Sequence, residues 1–470
     1  MQIPIGANLS EIARAFRDAG VSVYAVGGLV RNSLLNLPPS DIDICSRLTP
    51  DEVSALFLGT GVRVIEKAKE FGTVELHLNG EHYEHTTFRA ERYGAGGKHR
   101  PDAVTLGGTV ETDAFRRDFT VNALYYDLNT GALLDPTGGL DDLDRRVLRA
   151  TGEHPDTIMG SDALRVLRLV RFASELRFAV DAATYASAKR FAPQLCDIAA
   201  ERLGGELMKL LLSDVRYPAL QTKREGRDGE SAFLAKSVLY GLTMLDGLGA
   251  LDVLIPELIP CRGMEQRSDQ HRYDVLTHSL HVCAETPARQ ELRLAGLLHD
   301  VGKPRCMELY GDRLRHAALS AEIARTVLTR LKLPGAVTGR SCALIADHMY
   351  DIQNRAKEST LRVTFARWGR AYTEDMIALR EADVRGTGRG DDYFAVRWRT
   401  LYDTMCVDGT PMDIKELAVT GRDIIGATGA SGAQVGKLKE RLFWHAARHP
   451  GDNTRERLLC RIRDYEGKRT

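Results

Sequence analysis

The sequence predicts an α+β protein in which an N-terminal α/β domain with a mixed sheet precedes a long all-helical region. Up to about Asp135, helical spacing alternates with short apolar runs typical of strands, among them Val23–Val26, Thr73–Leu78 and His82–Phe88. From Leu140 onward the apolar spacing is helical and no convincing strand follows. Because 470 residues exceed what one ordinary core organises, we expect several domains in succession.

Composition narrows the class of protein. The formal net charge is zero, so the chain is not a general polyanion binder, and any contact with nucleic acid needs a local basic surface. The eight cysteines are scattered without a CxxC pair, which is typical of reduced thiols in the cytoplasm. The first residues lack the pattern of a signal peptide, and no apolar run approaches membrane-spanning length. We therefore expect a cytoplasmic protein with no membrane contact.

The stretch VYAVGGLVRNSLLNLPPSDIDIC, residues 23–45, combines an anion cradle with paired acids. An apolar strand ends at Gly27 and Gly28, where backbone amides can approach a ligand, and Arg31 follows at the start of a helix. Asp41 and Asp43 lie two residues apart, which on a strand places both carboxylates on one face. Paired acids beside a phosphate cradle are what metal-dependent phosphoryl or nucleotidyl transfer requires.

A second polar segment is FRRDFTVNALYYD, residues 115–127. Arg116 and Arg117 can meet phosphates, and Asp118 can accept a hydrogen bond from a ribose hydroxyl. A solvated surface explains the same run of charges.

A third segment, Ser161–Phe178, predicts a largely apolar helix with one polar stripe. The stripe consists of Asp162, Arg165, Arg168 and Arg171. Two interpretations stay open. The stripe forms a structural ion-pair ladder, in which Asp162 pairs with Arg165, or it lines a pocket and presents fixed donors and acceptors to a base edge.

A fourth group of residues has metal-ligand chemistry. His299 and Asp300 are adjacent at the end of an apolar helix, so both can turn toward one ion, and mixed imidazole and carboxylate ligands suit a divalent transition metal that activates water. With His278 upstream and Asp383 downstream, the pattern resembles the HD superfamily of metal-dependent phosphohydrolases. His316 and His348 are additional candidates for ligands or phosphate contacts. The alternative is an HD fold without turnover that mainly holds RNA.

Taken in order, these segments resemble the class II tRNA nucleotidyltransferases, which comprise the CCA-adding enzymes and the related bacterial poly(A) polymerases. The matching segments are VGGLVRN with DIDIC, RRDFTVNAL, LDPTGGLDDL, SDALRVLRLVRF and ERLGGELMKLLLS. The resemblance implies an α/β nucleotidyltransferase head followed by an all-α neck, body, HD domain and tail. The domains implied are a head at 1–139, a neck and body at 140–268, an HD domain at 269–400 and a tail at 401–470.

The resemblance also implies roles for residues. Asp41 and Asp43 are the catalytic acids and would hold Mg²⁺, with Glu84 as a candidate third acid. The implied nucleotide-binding residues are Gly27, Gly28, Arg31, Arg116, Arg117, Asp118, Asp162, Arg165, Arg168 and Arg171. Among them, Asp162 and Arg165 would act as the protein template that pairs with cytosine or adenine.

The implied activity is addition of CMP, CMP and AMP from CTP and ATP to the 3′ end of tRNA, without a nucleic-acid template. A poly(A) polymerase, or an enzyme that adds only CC or only A, is an alternative in the same class. An HD phosphohydrolase with an RNA-binding head is an alternative of another class. HD-bearing family members are associated with 2′,3′-cyclic phosphodiesterase and phosphatase activities, which suits repair of RNA ends. The second metal site would then use His278, His299, Asp300 and Asp383.

Two residues depart from the family pattern, which usually has an acid after the first-motif arginine and a glutamate before the template aspartate. Asn32 replaces that acid beside Arg31, and Ser161 replaces the glutamate that would brace Arg165. The basic segment 89–102 is similar to the family's flexible loop, and the polar run 222–231 predicts an exposed insertion. In the tail, Lys437, Lys439 and Arg441 with Trp444 could meet RNA phosphates, although a solvated helix face explains them equally well.

Overall fold

The computed structural model describes residues 3, 5–38, 41–92, 103–221, 236–267, 269, 271–389 and 393–467. The centre of the predicted flexible loop and the predicted insertion at 222–231 lie outside these residues. The chain divides into two compact units, one of residues 1–256 with 330–333 and one of residues 257–329 with 334–470. The predicted divisions at 139, 268 and 400 are finer than this split and stay predictions. Among the described residues, no helix is both long enough and apolar enough to cross a bilayer.

A mixed sheet of seven strands organises the first unit, as the sequence predicts. The strands of the unit are β1 (Val23–Val26), β2 (Asp43–Ser46), β3 (Arg63–Ala68), β4 (Thr73–Leu78), β5 (Glu81–Thr87), β6 (Arg89–Arg92), β7 (Ala103–Leu106), β8 (Tyr125–Asp127), β9 (Leu133–Leu134), β10 (Val147–Leu148) and β11 (Ala179–Val180). The order in the large sheet is β3-β4-β5-β2-β1-β8-β9. The β2–β5 pair is parallel, and its other neighbouring pairs are antiparallel.

The helices of the first unit follow the apolar spacing of the sequence. They are α1 (Ala7–Asp18), α2 (Gly28–Leu34), α3 (Pro50–Leu56), α4 (Val110–Phe115), α5 (Gly139–Arg145), α6 (Pro155–Ser161), α7 (Leu164–Leu176), α8 (Ala182–Phe191), α9 (Ala200–Leu211), α10 (Ser213–Arg216), α11 (Pro218–Gln221), α12 (Ser237–Gly247) and α13 (Ala250–Leu254). Thr49 and Glu52 form a capping box at the start of α3.

Two details after Leu140 differ from the prediction. The expected continuous helix 161–178 is broken, because α6 ends at Ser161 and Asp162 is extended, with φ −150° and ψ 105°, before α7 begins at Leu164. Two short strands, β10 and β11, also pair in parallel within this helical region. Strands of two residues are too short to produce a period-two pattern in the sequence.

The second unit is helical throughout its described residues. Its helices are α14 (Val275–Glu285), α15 (Gln290–Leu298), α16 (Lys303–Tyr310), α17 (His316–Arg330), α18 (Gly335–Asp347), α19 (Glu358–Trp368), α20 (Arg370–Gly386), α21 (Tyr393–Val407), α22 (Gly421–Thr428), α23 (Ala433–Arg448) and α24 (Arg455–Gly467). A separate buried apolar cluster joins α19 to α22, α23 and α24, with Ile424, Leu442 and Leu458 at its centre.

Candidate functional sites

The acidic edge of the head, formed by Asp41, Asp43 and Glu84, lies where β1, β2 and β5 meet. Val26 of β1 pairs with Asp43, and Asp43 pairs in turn with Glu84. Strand β2 begins at Asp43, so Asp41 precedes the strand instead of sharing it. Asp41 and Glu84 are exposed, whereas Asp43 is half-buried. The edge therefore presents three carboxylates to one side of the head.

Gly27 allows the chain to turn closely past this edge. Its φ of 72° lies in the left-handed region, which favours glycine. A Cβ atom on Gly27 would lie 3.5 Å from Asp43 Oδ2 and 4.0 Å from Arg117 Nη1. The turn between β1 and α2 thus places backbone beside both an acid and an arginine.

The surroundings of Asp43 shift the pKa of its carboxyl group. Burial, followed by repulsion from Glu84 and then Asp41, raises the pKa of Asp43 to about 6, although Arg117 and Arg168 oppose the shift. Clustered carboxylates with surplus negative charge fit a divalent cation, because the cation stabilises the ionised form of each acid. The donor set of the acidic edge is therefore compatible with the predicted Mg²⁺.

Arg116 and Arg117 are held by a residue that the sequence reasoning missed. Asp113 is fully buried and binds Arg116 Nε at 2.8 Å and Arg117 Nη2 at 3.0 Å. Tyr125 Oη donates to the same carboxylate at 2.7 Å. Burial opposes ionisation of Asp113, but Arg117 and Arg116 outweigh it and lower its pKa. The available signal was spacing, since Asp113 precedes the two arginines by three and four residues on a helix.

Arg31 lies inside the protein, with only 3% of its surface exposed. Its guanidinium donates to Asn122 Oδ1 at 2.5 Å, to Asn32 Oδ1 at 2.9 Å and to Tyr217 Oη at 3.4 Å. Burial lowers the pKa of Arg31, which Tyr217 and Glu175 partly oppose. Asn32 also donates to Pro38 O at 2.9 Å, so the unusual amide fixes both the arginine and the chain after α2.

Asp118 links the second polar segment, residues 115–127, to the third segment, residues 161–178. Its Oδ2 accepts from Arg168 Nε at 2.8 Å and Nη2 at 2.6 Å, and its Oδ1 accepts from Asn122 Nδ2 at 3.0 Å. Burial opposes ionisation, but Arg168 and Asn122 together lower the pKa of Asp118 to about 2. Because Asn122 also binds Arg31, one chain of hydrogen bonds links the segments 23–45, 115–127 and 161–178.

Phe172 is the common packing surface for the arginines of this chain, and sequence reasoning missed it. The guanidinium carbons of Arg31, Arg168 and Arg171 lie 5.1, 5.3 and 4.0 Å from the centre of its ring. Cations over an aromatic face are favoured electrostatically, so Phe172 helps to hold three like charges close together.

The predicted pairing of Asp162 with Arg165 is wrong, because the break before α7 moves Asp162 off the helix. Asp162 Oδ2 accepts instead from Arg202 Nη2 at 2.7 Å. Arg165 donates to the carbonyls of Ile158 at 2.9 Å and Arg116 at 2.7 Å. It also donates to Ser161 Oγ at 2.8 Å, so Ser161 still braces Arg165 despite the departure from the family pattern. Both predicted template residues are only partly buried.

Arg171 belongs to a buried ion-pair network. It binds Glu206 Oε2 at 2.6 Å and Glu175 Oε2 at 3.0 Å, and its side chain is 9% exposed. Arg171 is therefore part of a structural ion-pair network with acids. Arg165 and Arg168 are only partly buried, and the pocket interpretation of the stripe stays a prediction.

The histidine–aspartate cluster of the second unit brings all six predicted residues together. Five helices position them, since His278 lies in α14, His299 and His348 cap the C-terminal ends of α15 and α18, His316 begins α17, and Asp383 lies in the last turns of α20. Asp300 follows His299 directly. All are buried except Asp383, whose side chain is 22% exposed.

In the cluster, imidazole Nε2 atoms lie close to the carboxylate oxygens of Asp300 and Asp383. His278 Nε2 lies 3.0 Å from Asp383 Oδ1, and His299 Nε2 lies 3.3 Å from Asp300 Oδ2. Neither Nε2 atom makes a hydrogen bond although both are buried. Buried imidazole nitrogens that face carboxylate oxygens without a hydrogen bond between them fit metal ligands. Lys303 Nζ also lies 2.5 Å from Asp300 Oδ2.

The charges of the cluster are strongly coupled. Burial alone would lower the pKa of His299, but Asp300 and Asp383 outweigh it and raise the value to about 10. Burial, together with His299 and His316, lowers the pKa of His348 to about 3. The carboxylates thus stabilise positive charge at the cluster, a condition that favours a bound cation.

A basic cavity of about 450 Å³ lies between α19, α23 and α24. Its lining includes Arg441 and Trp444 of the predicted RNA-contacting patch, together with Arg367. Arg367 lies 5.6 Å from the Trp444 ring. Lys437 and Lys439 are not among the lining residues, and Lys437 is exposed.

Three segments match known protein families. Residues 23–149 match the Poly A polymerase head domain, and residues 269–385 match the HD domain. Residues 177–223 match the family described as a probable RNA and SrmB-binding site of polymerase A. With the mixed sheet and its acidic edge, these matches define a protein with a nucleotidyltransferase head of the Poly A polymerase type and an HD domain. Head and HD domains of these kinds generally use divalent metals.

Relatives and solved structures narrow this class further. A CCA-adding enzyme of Geobacillus thermodenitrificans is 33% identical over 333 residues, which cover 68% of this chain and 77% of that protein. The chain belongs to the CCA-adding enzyme family. The CCA-adding enzyme of Limosilactobacillus reuteri is 41% identical over 201 residues, and the match spans only about half of either protein, 43% of this chain and 48% of the relative. The crystal structure of the Bacillus stearothermophilus CCA-adding enzyme in complex with CTP shares the fold, with a TM-score of 0.64, 24% identity and 98% coverage of both chains.

Proposed function

We propose that the protein is a CCA tRNA nucleotidyltransferase that adds CMP, CMP and AMP to the 3′ end of tRNA. The observation that carries this proposal is the meeting of Asp43, Arg117 and the Gly27 turn at one sheet edge. Family membership supplies the substrate class, since the relatives are named for CCA addition. In the proposed reaction the terminal 3′-hydroxyl of tRNA attacks the α-phosphorus of CTP or ATP, and pyrophosphate leaves.

Asp41 and Asp43 are the proposed catalytic acids and Mg²⁺ ligands, with Glu84 beside them. When bound, Mg²⁺ would lower the pKa of the attacking hydroxyl and neutralise phosphate charge. The chain's own contribution is orientation. Arg116 and Arg117, held by Asp113, offer fixed guanidinium groups to the phosphates, and the turn at Gly27 and Gly28 leaves room for them to approach.

Nucleotide selection is assigned to the neck. Arg165 has its guanidinium fixed by two carbonyls and Ser161, and Asp162 is held by Arg202. A planar donor and an acceptor held in this way can pair with a base edge, because their orientation is not free to adapt to a wrong base. Asp118 with Arg168 is proposed to position ribose and phosphate beside them.

A second activity is proposed for the HD domain, where the buried Nε2 atoms of His278 and His299 provide the supporting observation. These residues, with Asp300 and Asp383, would hold a divalent transition metal. When bound, such an ion would activate water for hydrolysis of a phosphoester, and the proposed substrate is a 2′,3′-cyclic phosphate at an RNA end. The basic cavity that contains Arg441 and Trp444 is the proposed contact for RNA phosphates. The eight cysteines include no CxxC pair, a composition that supports the proposed cytoplasmic location.

One assay tests the main proposal. Purified protein is incubated with tRNA lacking its 3′ CCA, with CTP alone, ATP alone and both nucleotides, and product lengths are read at single-nucleotide resolution. CCA addition predicts two added residues with CTP, none or misincorporation with ATP, and three with both. A ladder of many adenylates with ATP alone would identify a poly(A) polymerase, and arrest at CC with both nucleotides would identify a CC-adding enzyme.

A further inference from the structure

A buried chain of hydrogen bonds leads from Tyr217 to Arg168. Tyr217 follows α10 directly, and only 2% of its surface is exposed. We propose that Tyr217 and Arg31 are positioning residues, which orient Arg168 for the incoming CTP or ATP without touching the nucleotide themselves. The side chains that connect Arg31 to Arg168 are Asn122 and Asp118. This inference rests on the proposed function, in which Arg168 contacts the nucleotide.

The hydroxyl of Tyr217 accepts hydrogen bonds from two side chains of the head. Asn32 Nδ2 donates to Tyr217 Oη at 3.0 Å, and Arg31 Nη2 donates to it at 3.4 Å. The same amide nitrogen of Asn32 donates to the Pro38 carbonyl at 2.9 Å, so the amide oxygen is turned toward the guanidinium. Asn32 Oδ1 accepts there from Arg31 Nε and Nη2, at 3.1 and 2.9 Å. The oxygen that holds both head residues thus belongs to a segment 185 residues further along the chain.

Arg31 is occupied by groups of the protein. Its guanidinium makes four hydrogen bonds to side chains, so nearly all of its N–H donors are used. Its guanidinium carbon lies 5.1 Å from the centre of the Phe172 ring, and only 3% of the residue is exposed. A phosphate would have to displace these buried contacts in order to bind. The arrangement is therefore that of a cation which holds protein groups in place.

Asn122 transmits the position of Arg31 to Asp118. Asn122 Oδ1 accepts from Arg31 Nη1 at 2.5 Å, and Asn122 Nδ2 donates to Asp118 Oδ1 at 3.0 Å. A reversed amide would turn its N–H groups toward the cation and its oxygen toward the carboxylate, and both contacts would then be repulsive. Arg31 therefore fixes the direction of the amide, and the amide fixes the carboxylate.

Arg168 is the end of this chain that a ligand can reach. Asp118 Oδ2 accepts from Arg168 Nε at 2.8 Å and from Nη2 at 2.6 Å, which fixes one edge of the guanidinium. The Arg168 side chain is 35% exposed, and its Nη1 makes no hydrogen bond within the described part of the chain. Because a guanidinium is planar, fixing one edge also fixes the direction in which Nη1 points. A shift of Asp118 would consequently misdirect the donors that Arg168 offers to a nucleotide.

Steady-state kinetics of CMP and AMP addition to tRNA lacking its 3′ CCA or 3′ A test the proposal. Tyr217→Phe removes only the hydroxyl, and we expect the KM values for CTP and ATP each to rise about fivefold while kcat stays within about twofold, because a contact made in both the ground and transition states affects KM alone. Tyr240→Phe is the matched control. It removes a hydroxyl that donates to the Phe178 carbonyl at 3.1 Å, and it should leave both KM values unchanged. A purely structural role of Tyr217 would lower the active fraction, and hence kcat, at unchanged KM.

A double-mutant cycle with Arg168→Ala tests the route. Arg168→Ala removes the end of the chain, so adding Tyr217→Phe to it should raise KM no further. A further fivefold rise in the double variant, or unchanged KM values in Tyr217→Phe, would overturn the inference and leave the proposed function in place. Absence of CMP and AMP addition by the unmodified protein would overturn both.

A second variant covers loss of folding. Where Tyr217→Phe loses its circular dichroism, Arg31→Lys is measured in its place, because lysine keeps the charge but cannot make the four hydrogen bonds of Arg31. We expect the same rise in KM for both nucleotides. Unchanged KM values in that folded variant also overturn the inference.

Discussion

The acidic edge of the head and the histidine–aspartate cluster both gather ligands for cations, but they do so in opposite environments. The head presents exposed Asp41 and Glu84 beside half-buried Asp43, and like charges raise the pKa of Asp43 to about 6. The cluster is buried, and its imidazoles lie against carboxylates of opposite charge. An open site of oxygens suits Mg²⁺ that arrives with substrate phosphates, whereas a buried site of imidazoles suits a resident transition metal.

The difference also concerns how each region balances charge. In the head, Arg117 already binds Asp113, and Glu84 and Asp41 raise the pKa of Asp43 at the acidic edge. In the cluster, each carboxylate lies beside two or more imidazoles. We infer that the head depends on its cation for each catalytic cycle, and that the cluster depends on its cation for its local structure.

The largest expected effect is on the head. Asp43→Asn removes a carboxylate ligand without changing shape, and we expect nucleotide addition to fall by at least about 10³-fold, because metal and substrate lose their common anchor. Incorporation of labelled CMP into tRNA lacking CCA measures it. Asp51→Asn, an exposed acid of the same domain, is the matched control and should keep full activity. Addition by Asp43→Asn at the control rate would refute the ligand assignment.

A second substitution tests whether the two sites are independent. His299→Ala removes a buried ligand of the cluster, and we expect loss of 2′,3′-cyclic phosphate hydrolysis while CMP and AMP addition stays within about twofold of wild type. Asp43→Asn should show the reverse pattern in the same two assays. Loss of both activities in His299→Ala would mean that the head needs an intact cluster and that the two sites are not independent.

The contribution of the buried ion pairs of Asp113 can be measured as a change in the free energy of unfolding. Asp113→Asn leaves Arg116 and Arg117 without their buried counter-charge, so we expect the free energy of unfolding to fall by about 3 kcal/mol. Urea denaturation followed by circular dichroism gives the value. Glu111→Gln, exposed on the same helix, should change stability by less than about 0.5 kcal/mol. An equal effect of the two substitutions would show that the buried ion pairs of Asp113 stabilise the protein no more than the exposed Glu111 does.

The raised pKa of Asp43 predicts a pH dependence of stability. Because the folded-state pKa of Asp43 is about 6 against an ordinary value of 3.8, the folded protein binds more protons than the unfolded chain between these pH values. Stability is therefore lost as pH rises through this range, by roughly 1–2 kcal/mol after solvent screening. In the presence of a chelator, Asp43→Asn should melt higher than wild type at pH 7.5, and the gap should narrow toward pH 5. A constant gap would contradict the raised pKa.

The sequence predicted the helices and strands of the fold well. It predicted which residues are candidate metal ligands better than it predicted which residues bind the arginines. Strand runs such as Val23–Val26 and Thr73–Leu78 occur as predicted, because a short apolar run and an alternation of polar and apolar residues are both local patterns. The six residues of the cluster were also named from sequence, since imidazole and carboxylate ligands are distinctive types. Their arrangement in space required the structure, because five helices bring them together.

Partners of the arginines could not be read from sequence for the same reason. Arg31 binds Tyr217, which is distant along the chain, and Asp162 binds Arg202 across the body. The break before α7 is also invisible locally, because the apolar spacing continues through Asp162 while its backbone is extended. Tertiary contacts decide which of several possible pairings forms, and spacing alone favoured the wrong one for Asp162.

Asn32 offers the smallest and most discriminating test of charge balance in the head. It accepts from Arg31 at 2.9 and 3.1 Å, in the place where the family pattern usually has an acid. Asn32→Asp adds a counter-charge to a buried arginine but also buries a second ion, and these effects oppose each other. We expect a stability change within about 1 kcal/mol and nucleotide addition within about threefold of wild type. A large gain in stability or in nucleotide addition would mean that hydrogen bonds from Arg31 to Asn32 and Asn122 do not replace a negative charge. The amide at position 32 would then destabilise the protein relative to an acid.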